Sequence, residues 1–261
     1  MSSGHVTERM VGFLSTPATV WWNARGQVSK TARLPLRLPR RLLHENRPSR
    51  TRRRLTSWVL GQQVQGSSRD PMGMEEETDP GTVPGVDLRI VRYPHRQLRA
   101  PNGPVTVFDD ALAKLVRDMF KLMYASRGVG LAAPQVGVNK RLMVFNPKGD
   151  SRSWLTEVAL VNPRIIERSE TTDEALEGCL SFPGISGEVE RSIWIKVEAE
   201  KPNGRRFRVK YTGWTARIFQ HEYDHLDGIL FIDRMKPAVR EQNRAALETL
   251  VSQVPKSERA L

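Results

Sequence analysis

His221-Glu222-Tyr223-Asp224-His225 has the residue types and spacing to bind a metal ion and activate water. On a helix, residues four apart share one face, with Cβ atoms about 5–6 Å from each other. Two imidazoles so placed can meet one ion at roughly 2.0–2.1 Å per Zn–N bond. Glu222 falls about 100° round the same helix, given 3.6 residues per turn. Its carboxylate then flanks the ion, where a base must stand to take a proton from water.

Two histidines leave a catalytic ion one protein ligand short, and another His, a carboxylate or a thiolate could fill the place. Of the five histidines, His5 and His44 lie in a basic leader and His95 lies in a loop-like Tyr-Pro-His-Arg stretch. Cys179, the one cysteine, is the soft candidate, within Glu177-Gly178-Cys179-Leu180-Ser181. A thiolate with two imidazoles suits a borderline ion such as Zn²⁺ or Fe²⁺ and not Mg²⁺ or Ca²⁺. A single cysteine also excludes an intramolecular disulfide framework.

Gly128-Val129-Gly130-Leu131-Ala132-Ala133-Pro134-Gln135 is a third stretch of interest. No Lys-Ser/Thr follows it, so it is not a phosphate loop. Gly128 and Gly130 permit close backbone approach, and Gln135 offers an amide donor suited to an oxyanion.

Together and in this order, GVGLAAPQ, EGCLS and QHEYDH resemble the three signature motifs of the peptide deformylases. The likeness runs from about Asp87 to Met235 and on into the C-terminal helix. LMVFNP, EGCLSFPGI and ARIFQHEYDHLDGILF are similar to the B-type of the eukaryotic organelle enzymes. The resemblance implies hydrolysis of the N-formyl group from the N-terminal methionine of newly made polypeptides, with release of formate. It implies Cys179, His221 and His225 as ligands of one divalent ion, Fe²⁺ in the cell with Zn²⁺ as a poorer substitute. Glu222 becomes general base and then acid, while the Gln135 side chain and the Leu180 N–H hold the oxyanion. Val129, Gly130 and Gly178 line the channel where the peptide lies extended. Glu177, paired with Arg191, acts from behind the ligands. Trp214 and Arg217 stand on the helix approach where bacterial forms often carry aliphatics, a departure that bears on the methionine pocket.

These residues need elements to hold them. Asp109 or Asp110 can cap a helix, and Leu112, Leu115, Val116, Met119, Leu122 and Met123 give it one apolar face, stopped by Gly128. Leu142–Phe145 and Val158–Val161 are short apolar runs of strand type. Ile193, Ile195, Val197 and Ala199 alternate with polar neighbours, Pro202-Asn203-Gly204 turns the chain, and Phe207, Val209 and Tyr211 resume, so 193–211 reads as a hairpin. Thr215–Asp227 is helical and ends at Gly228. A last helix spans Ala238 to Val251, with Val239, Ala246, Leu247 and Leu250 on one face. Strands cluster in the middle with no βαβ alternation, which predicts an α+β fold. Antiparallel sheets are expected around a central helix bearing H-E-x-x-H, with an N-terminal and a C-terminal flanking helix.

The 261 residues carry a net charge of +12, with 39% hydrophobic and 27% charged residues. Residues 1–70 hold 13 Lys/Arg against Glu8, Glu45 and Asp70, whereas residues 71–261 have 28 Lys/Arg and 26 Asp/Glu. The basicity therefore belongs to the leader and not to the body. Arg-rich, acid-poor and Pro-interrupted, residues 1–70 read as a transit peptide. Residues 71–85 read as a Pro/Gly linker, 86–255 as the catalytic domain and 256–261 as a tail. No membrane span and no specific nucleic acid are expected. A ribosome-proximal place is expected, in an organelle, the plastid ahead of the mitochondrion. Two rivals share some of these features: an H-E-x-x-H metallopeptidase and an inactive RNA- or ribosome-associated homologue.

Overall fold

A computed structural model describes residues 79–260. The expected leader, residues 1–70, and the expected linker up to residue 78 lie outside the described residues. The first long element is α1, Asp110–Ala125, capped by the Asp109 carboxylate accepting from the Leu112 N–H. Such a cap is worth about 1 kcal/mol. Leu112, Val116, Met119, Leu122 and Met123 are buried along one face.

The helix stops differently from the expectation. The left-handed residue is Arg127, φ 58°, and the Gly128 N–H closes the end on the Met123 carbonyl. Gly128 serves another purpose: a Cβ on it would lie 2.8 Å from Leu180 Cδ1, so the glycine lets the segment after Cys179 pack against this turn.

Seven strands follow: β1 Gly130–Ala132, β2 Leu142–Phe145, β3 Val158–Arg168, β4 Thr172–Gly178, β5 Ser186–Ser192, β6 Trp194–Glu200 and β7 Arg206–Thr212. A five-stranded sheet has the order β1-β2-β3-β6-β7, and β4-β5 form a separate two-stranded sheet. All pairings are antiparallel. The β6–β7 pair is the hairpin expected over 193–211, though Ile193 lies outside it and is exposed. The fold is α+β.

Period-two alternation sorts the large sheet onto two layers. Leu131, Leu142, Val144 and Val161 pack with α1 residues Met119, Leu122 and Met123. Ala132, Met143, Phe145, Leu160, Ile195, Val197 and Ala199 face the other way, onto Ala216, Ile218, Phe219 and Leu226 of α2, Gly213–Leu226. The small hairpin packs on α2 as well, through β5. The H-E-x-x-H helix thus lies between the five-stranded sheet and the β4–β5 hairpin. It ends at Gly228, φ 70°, as its composition predicts.

Three short helices close the chain: α3 Phe231–Arg234, α4 Pro237–Gln242 and α5 Arg244–Gln253. The single helix expected over 238–251 is therefore broken at Asn243, whose side chain donates to the Ser186 carbonyl on β5. Leu247 and Leu250 are buried as the pattern requires, but Ala246 is exposed.

Candidate metal centre

Cys179 follows directly on β4, in a turn closed by the Phe182 N–H on its carbonyl at 2.7 Å. It is buried among Phe182, Ile185, Val189 and Phe231. His221 and His225 come from α2, ring centroids 5.3 Å apart. The potential donor atoms of Cys179, His221 and His225 all lie within 4.8 Å of one another, and Cys179 Sγ is 3.3 Å from His225 Nε2. Donors sharing a tetrahedral Zn²⁺ stand about 3.3–3.6 Å apart. The donor set suits one borderline-soft divalent ion, and the Cys179–His225 separation falls in that range.

Electrostatics favour a cation at this point. Burial pushes His221 down, but Cys179 and Glu177 outweigh burial and hold its pKa well above the ordinary value. The same neighbours would favour a bound cation. His225 stays neutral, because burial and the charges of His221 and Arg191 oppose its protonation. A neutral imidazole is the form that ligates.

Glu177, on β4, fixes the first histidine. Its Oε2 accepts from His221 Nδ1 at 2.9 Å, which leaves Nε2 for the cluster. Arg191 of β5 grips both oxygens of Glu177, each at 2.8 Å. Burial raises the Glu177 carboxyl, but its bonds from Arg191 and His221 hold it well below the usual carboxylate range. The carboxylate orients the ring and fixes its tautomer, as partners of metal-bound histidines generally do.

Glu222 is 4% exposed. It packs onto β1 so closely that a Cβ on Gly130 would lie 2.3 Å from Glu222 Oε1. Gly130 is thus a buried support for this carboxylate, beyond the channel-lining part expected of it. Gln135 lies in a single turn after β1. Its Oε1 accepts from the Ala132 N–H at 2.8 Å, and its Nε2 reaches Cys179 Sγ and Ser181 Oγ, both at 3.4 Å. Leu180 is buried against the Gly128 turn. Val129 is half-buried, and Gly178 is the exposed end of β4, paired with Ser186.

Asp224, Ser181 and Arg234 were not singled out from the sequence, and the contacts of Arg217 and Trp214 were not foreseen. Asp224, inside the H-E-x-x-H motif, accepts from Arg191 and from Arg234 of α3, both at 2.6 Å. Ser181 takes a bond from Gln135. Arg217 is buried and turned onto Glu177, Asp173 and Val189. Trp214 is part-exposed, with its indole N–H on the Pro147 carbonyl at 3.1 Å. A polar cavity of about 320 Å³ lies behind α2, lined by Arg191, Gln220, Tyr223, Asp224 and Arg234 among others. It includes neither Cys179 nor the two histidines, so the chemistry lies elsewhere.

A buried Cys/His/His cluster that could hold one metal ion, on an α+β scaffold, is the feature that the comparisons with known proteins bear on. A family model for polypeptide deformylase matches residues 87–241. The chain belongs to the peptide deformylase family. It is 49% identical over 163 residues to peptide deformylase 1B, chloroplastic/mitochondrial, of Arabidopsis thaliana, covering 62% of this chain and 59% of that one. It is 48% identical over 163 residues to peptide deformylase 1B, chloroplastic, of Oryza sativa subsp. japonica, covering 62% and 60%. The chain thus matches about three fifths of the length of these relatives. A crystal structure of Arabidopsis thaliana peptide deformylase 1B superposes with a TM-score of 0.62 at 45% identity, covering 66% of this chain and 97% of that one.

Proposed function

We propose that this chain removes the formyl group from the N-terminal methionine of newly synthesised polypeptides, using one divalent ion held by Cys179, His221 and His225. The observation that carries the reading is Glu222 buried on the helix that brings both histidines to the cluster, in a chain of this family. Family membership favours it over the endopeptidase and the RNA-associated alternatives. The thiolate-bearing donor set supports Fe²⁺ or Zn²⁺, and Fe²⁺ is the assignment for the cell.

An ion bound there supplies positive charge that acidifies water and polarises a carbonyl. The protein's own groups handle the rest. The Glu222 carboxylate takes a proton from the attacking water as its oxygen bonds to the formyl carbon. As the C–N bond breaks, Glu222 returns that proton to the amine nitrogen, leaving formate and a free N-terminus. Gln135 Nε2 and the Leu180 N–H donate to the formyl oxygen as it gains charge. Losing one such donor costs about 10²–10³ in rate. Val129, Gly130 and Gly178 flank the peptide, which lies extended like an added strand. Cys179 is a ligand and not a nucleophile, because a coordinated sulfur is not available to attack.

We assign residues 1–70 as a transit peptide, 71–85 as a linker, 86–255 as the catalytic domain and 256–261 as a tail. The relatives named above as chloroplastic or chloroplastic/mitochondrial support an organellar site, with the plastid ahead, close to the ribosomes that make formylated chains. No helix among the described residues is long and apolar enough to cross a membrane.

The test is formate release from a formyl-Met-Ala peptide by anaerobically purified protein, with metal analysis on the same sample. Turnover with about one metal per chain is expected. Cys179→Ala should lose most of the metal, and full occupancy would remove Cys179 from the ligand set. Gly130→Ala should retain metal but displace Glu222, lowering kcat by about 10²-fold, the scale of a 1 Å misplacement. A kcat within twofold of the parent would show that the carboxylate does not depend on this contact.

A further inference from the structure

Arg217 lies one turn before His221 on α2, and its side chain is 6% exposed. Its guanidinium makes four bonds across the gap to the small sheet. It donates to Glu177 Oε1 and to the Val189 carbonyl, each at 2.8 Å. It also donates to the Asp173 carbonyl at 2.9 Å and to the Asp173 carboxylate at 2.6 Å. Asp173 and Glu177 belong to β4 and Val189 to β5. One helix side chain therefore ties both strands of the hairpin to the helix that carries the histidines.

The hairpin delivers Cys179, since β4 ends at Gly178. The α2 helix delivers both imidazoles. Whatever fixes hairpin against helix fixes sulfur against nitrogen. The Glu177–Arg191 pair cannot do this alone, because both residues lie on the hairpin. Other links from hairpin to helix are Arg191 to Asp224, Ser192 with Gln220, and Glu177 to His221. None of them reaches Asp173 or the first turns of α2. Near the start of α2 the Gly213 N–H also donates to the carbonyl of Ile193, the residue after β5, at 2.9 Å, but that bond does not reach β4. Arg217 and His221 also hold opposite oxygens of the same carboxylate, so the guanidinium fixes the plane in which Glu177 meets the imidazole.

We propose that Arg217 is a positioning residue of the metal centre: by clamping β4 and β5 onto α2 through Glu177, Val189 and Asp173, it sets the Cys179 sulfur at its place relative to His221 and His225. The inference rests on the metal-binding reading above. A planar fork with several donors is needed, and a lysine ammonium cannot span both strands.

The experiment uses the full chain with Arg217→Met and Arg217→Lys, and Zn²⁺ and Co²⁺ as probes. Three quantities are read: Zn²⁺ affinity by chelator competition, the thiolate-to-cobalt charge-transfer absorption, and the melting temperature of the metal-free protein. Arg217→Met should weaken Zn²⁺ binding about 10–100-fold, the range for partners behind metal ligands, and should weaken the cobalt band. Arg217→Lys should fall between that variant and the parent. A merely structural role would lower the melting temperature and leave both metal readouts where they were. A folded Arg217→Met with affinity and band within twofold of the parent overturns the proposal. Should that variant not fold, parent-like metal readouts in Arg217→Lys overturn it equally. A parent chain that binds neither ion would bring down the metal-binding reading itself, and this inference with it.

Discussion

Glu222→Gln will keep the Cys179/His221/His225 centre and its metal, and turnover will fall by about 10⁴-fold, the upper end for one acid–base group. That is about 5 kcal/mol of lost transition-state stabilisation. The substitution is nearly isosteric, so a side chain 4% exposed and packed against Gly130 is replaced without a cavity. None of the three proposed ligands is changed, and His221 keeps its Nδ1 bond to Glu177. What disappears is the carboxylate proposed to take the water's proton and return it to the amine. The loss is large because one carboxylate serves two consecutive transfers. Metal content, melting temperature and KM should stay close to the parent values while kcat collapses. Formate release measured with metal analysis on the same preparation checks this. A kcat within tenfold of the parent would move the acid–base role to another residue.

The parts of this molecule legible in the sequence are those with a local pattern. The apolar face of α1, the alternation in β6 and β7 and the glycine after α2 follow from periods of 3.6 and 2 and from one left-handed position. The β4–β5 hairpin escaped notice for a physical reason. Thr172–Gly178 carries Asp173, Glu174 and Glu177 and reads as a charged, solvated stretch. Its order comes from ladder pairing with β5 and from guanidinium groups, not from an apolar face. The same reason hid the ion pairs of Arg217 and Arg234. Their partners Glu177 and Asp224 are 40 and 10 residues away, and no local period reports an ion pair across that distance. Gly128 looked like a helix stop because glycine usually is one, yet here its missing side chain makes room for Leu180. The Cys179/His221/His225 cluster was legible from its motifs and the Glu177–Arg191 pair from the family likeness, whereas the bonds from Arg217 and Asp224 to that pair were not.

That frame gives the second large effect. Glu177→Ala will lower the melting temperature of the metal-free protein by about 10 °C and weaken metal binding. Glu177 is buried, and it accepts from Arg191, Arg217 and His221 at once. Removing it takes a shared carboxylate from Arg191 and Arg217, whose side chains are 4% and 6% exposed, and leaves them with one each, Asp224 and Asp173. Breaking a buried ion pair from one side costs about 3–5 kcal/mol. For a domain of 150–250 residues each kcal/mol moves the melting point about 2–4 °C, so a shift of roughly 10 °C follows. A typical domain has only about 5–15 kcal/mol in total, so the variant should remain folded at low temperature but with little margin. The metal effect has a separate origin, since His221 loses the acceptor that fixes its ring, which typically costs 10–100-fold in affinity. Glu177→Gln separates the two contributions. The amide oxygen can still accept from a guanidinium, so part of the stability should return, while the lost charge leaves Arg191 and Arg217 with a single carboxylate each, Asp224 and Asp173. Thermal melts of the metal-free chains, with chelator competition on the same variants, read both effects. A Glu177→Ala protein that melts within about 2 °C of the parent would mean that solvent reaches these arginines and that the pairs are not buried as the structure has them.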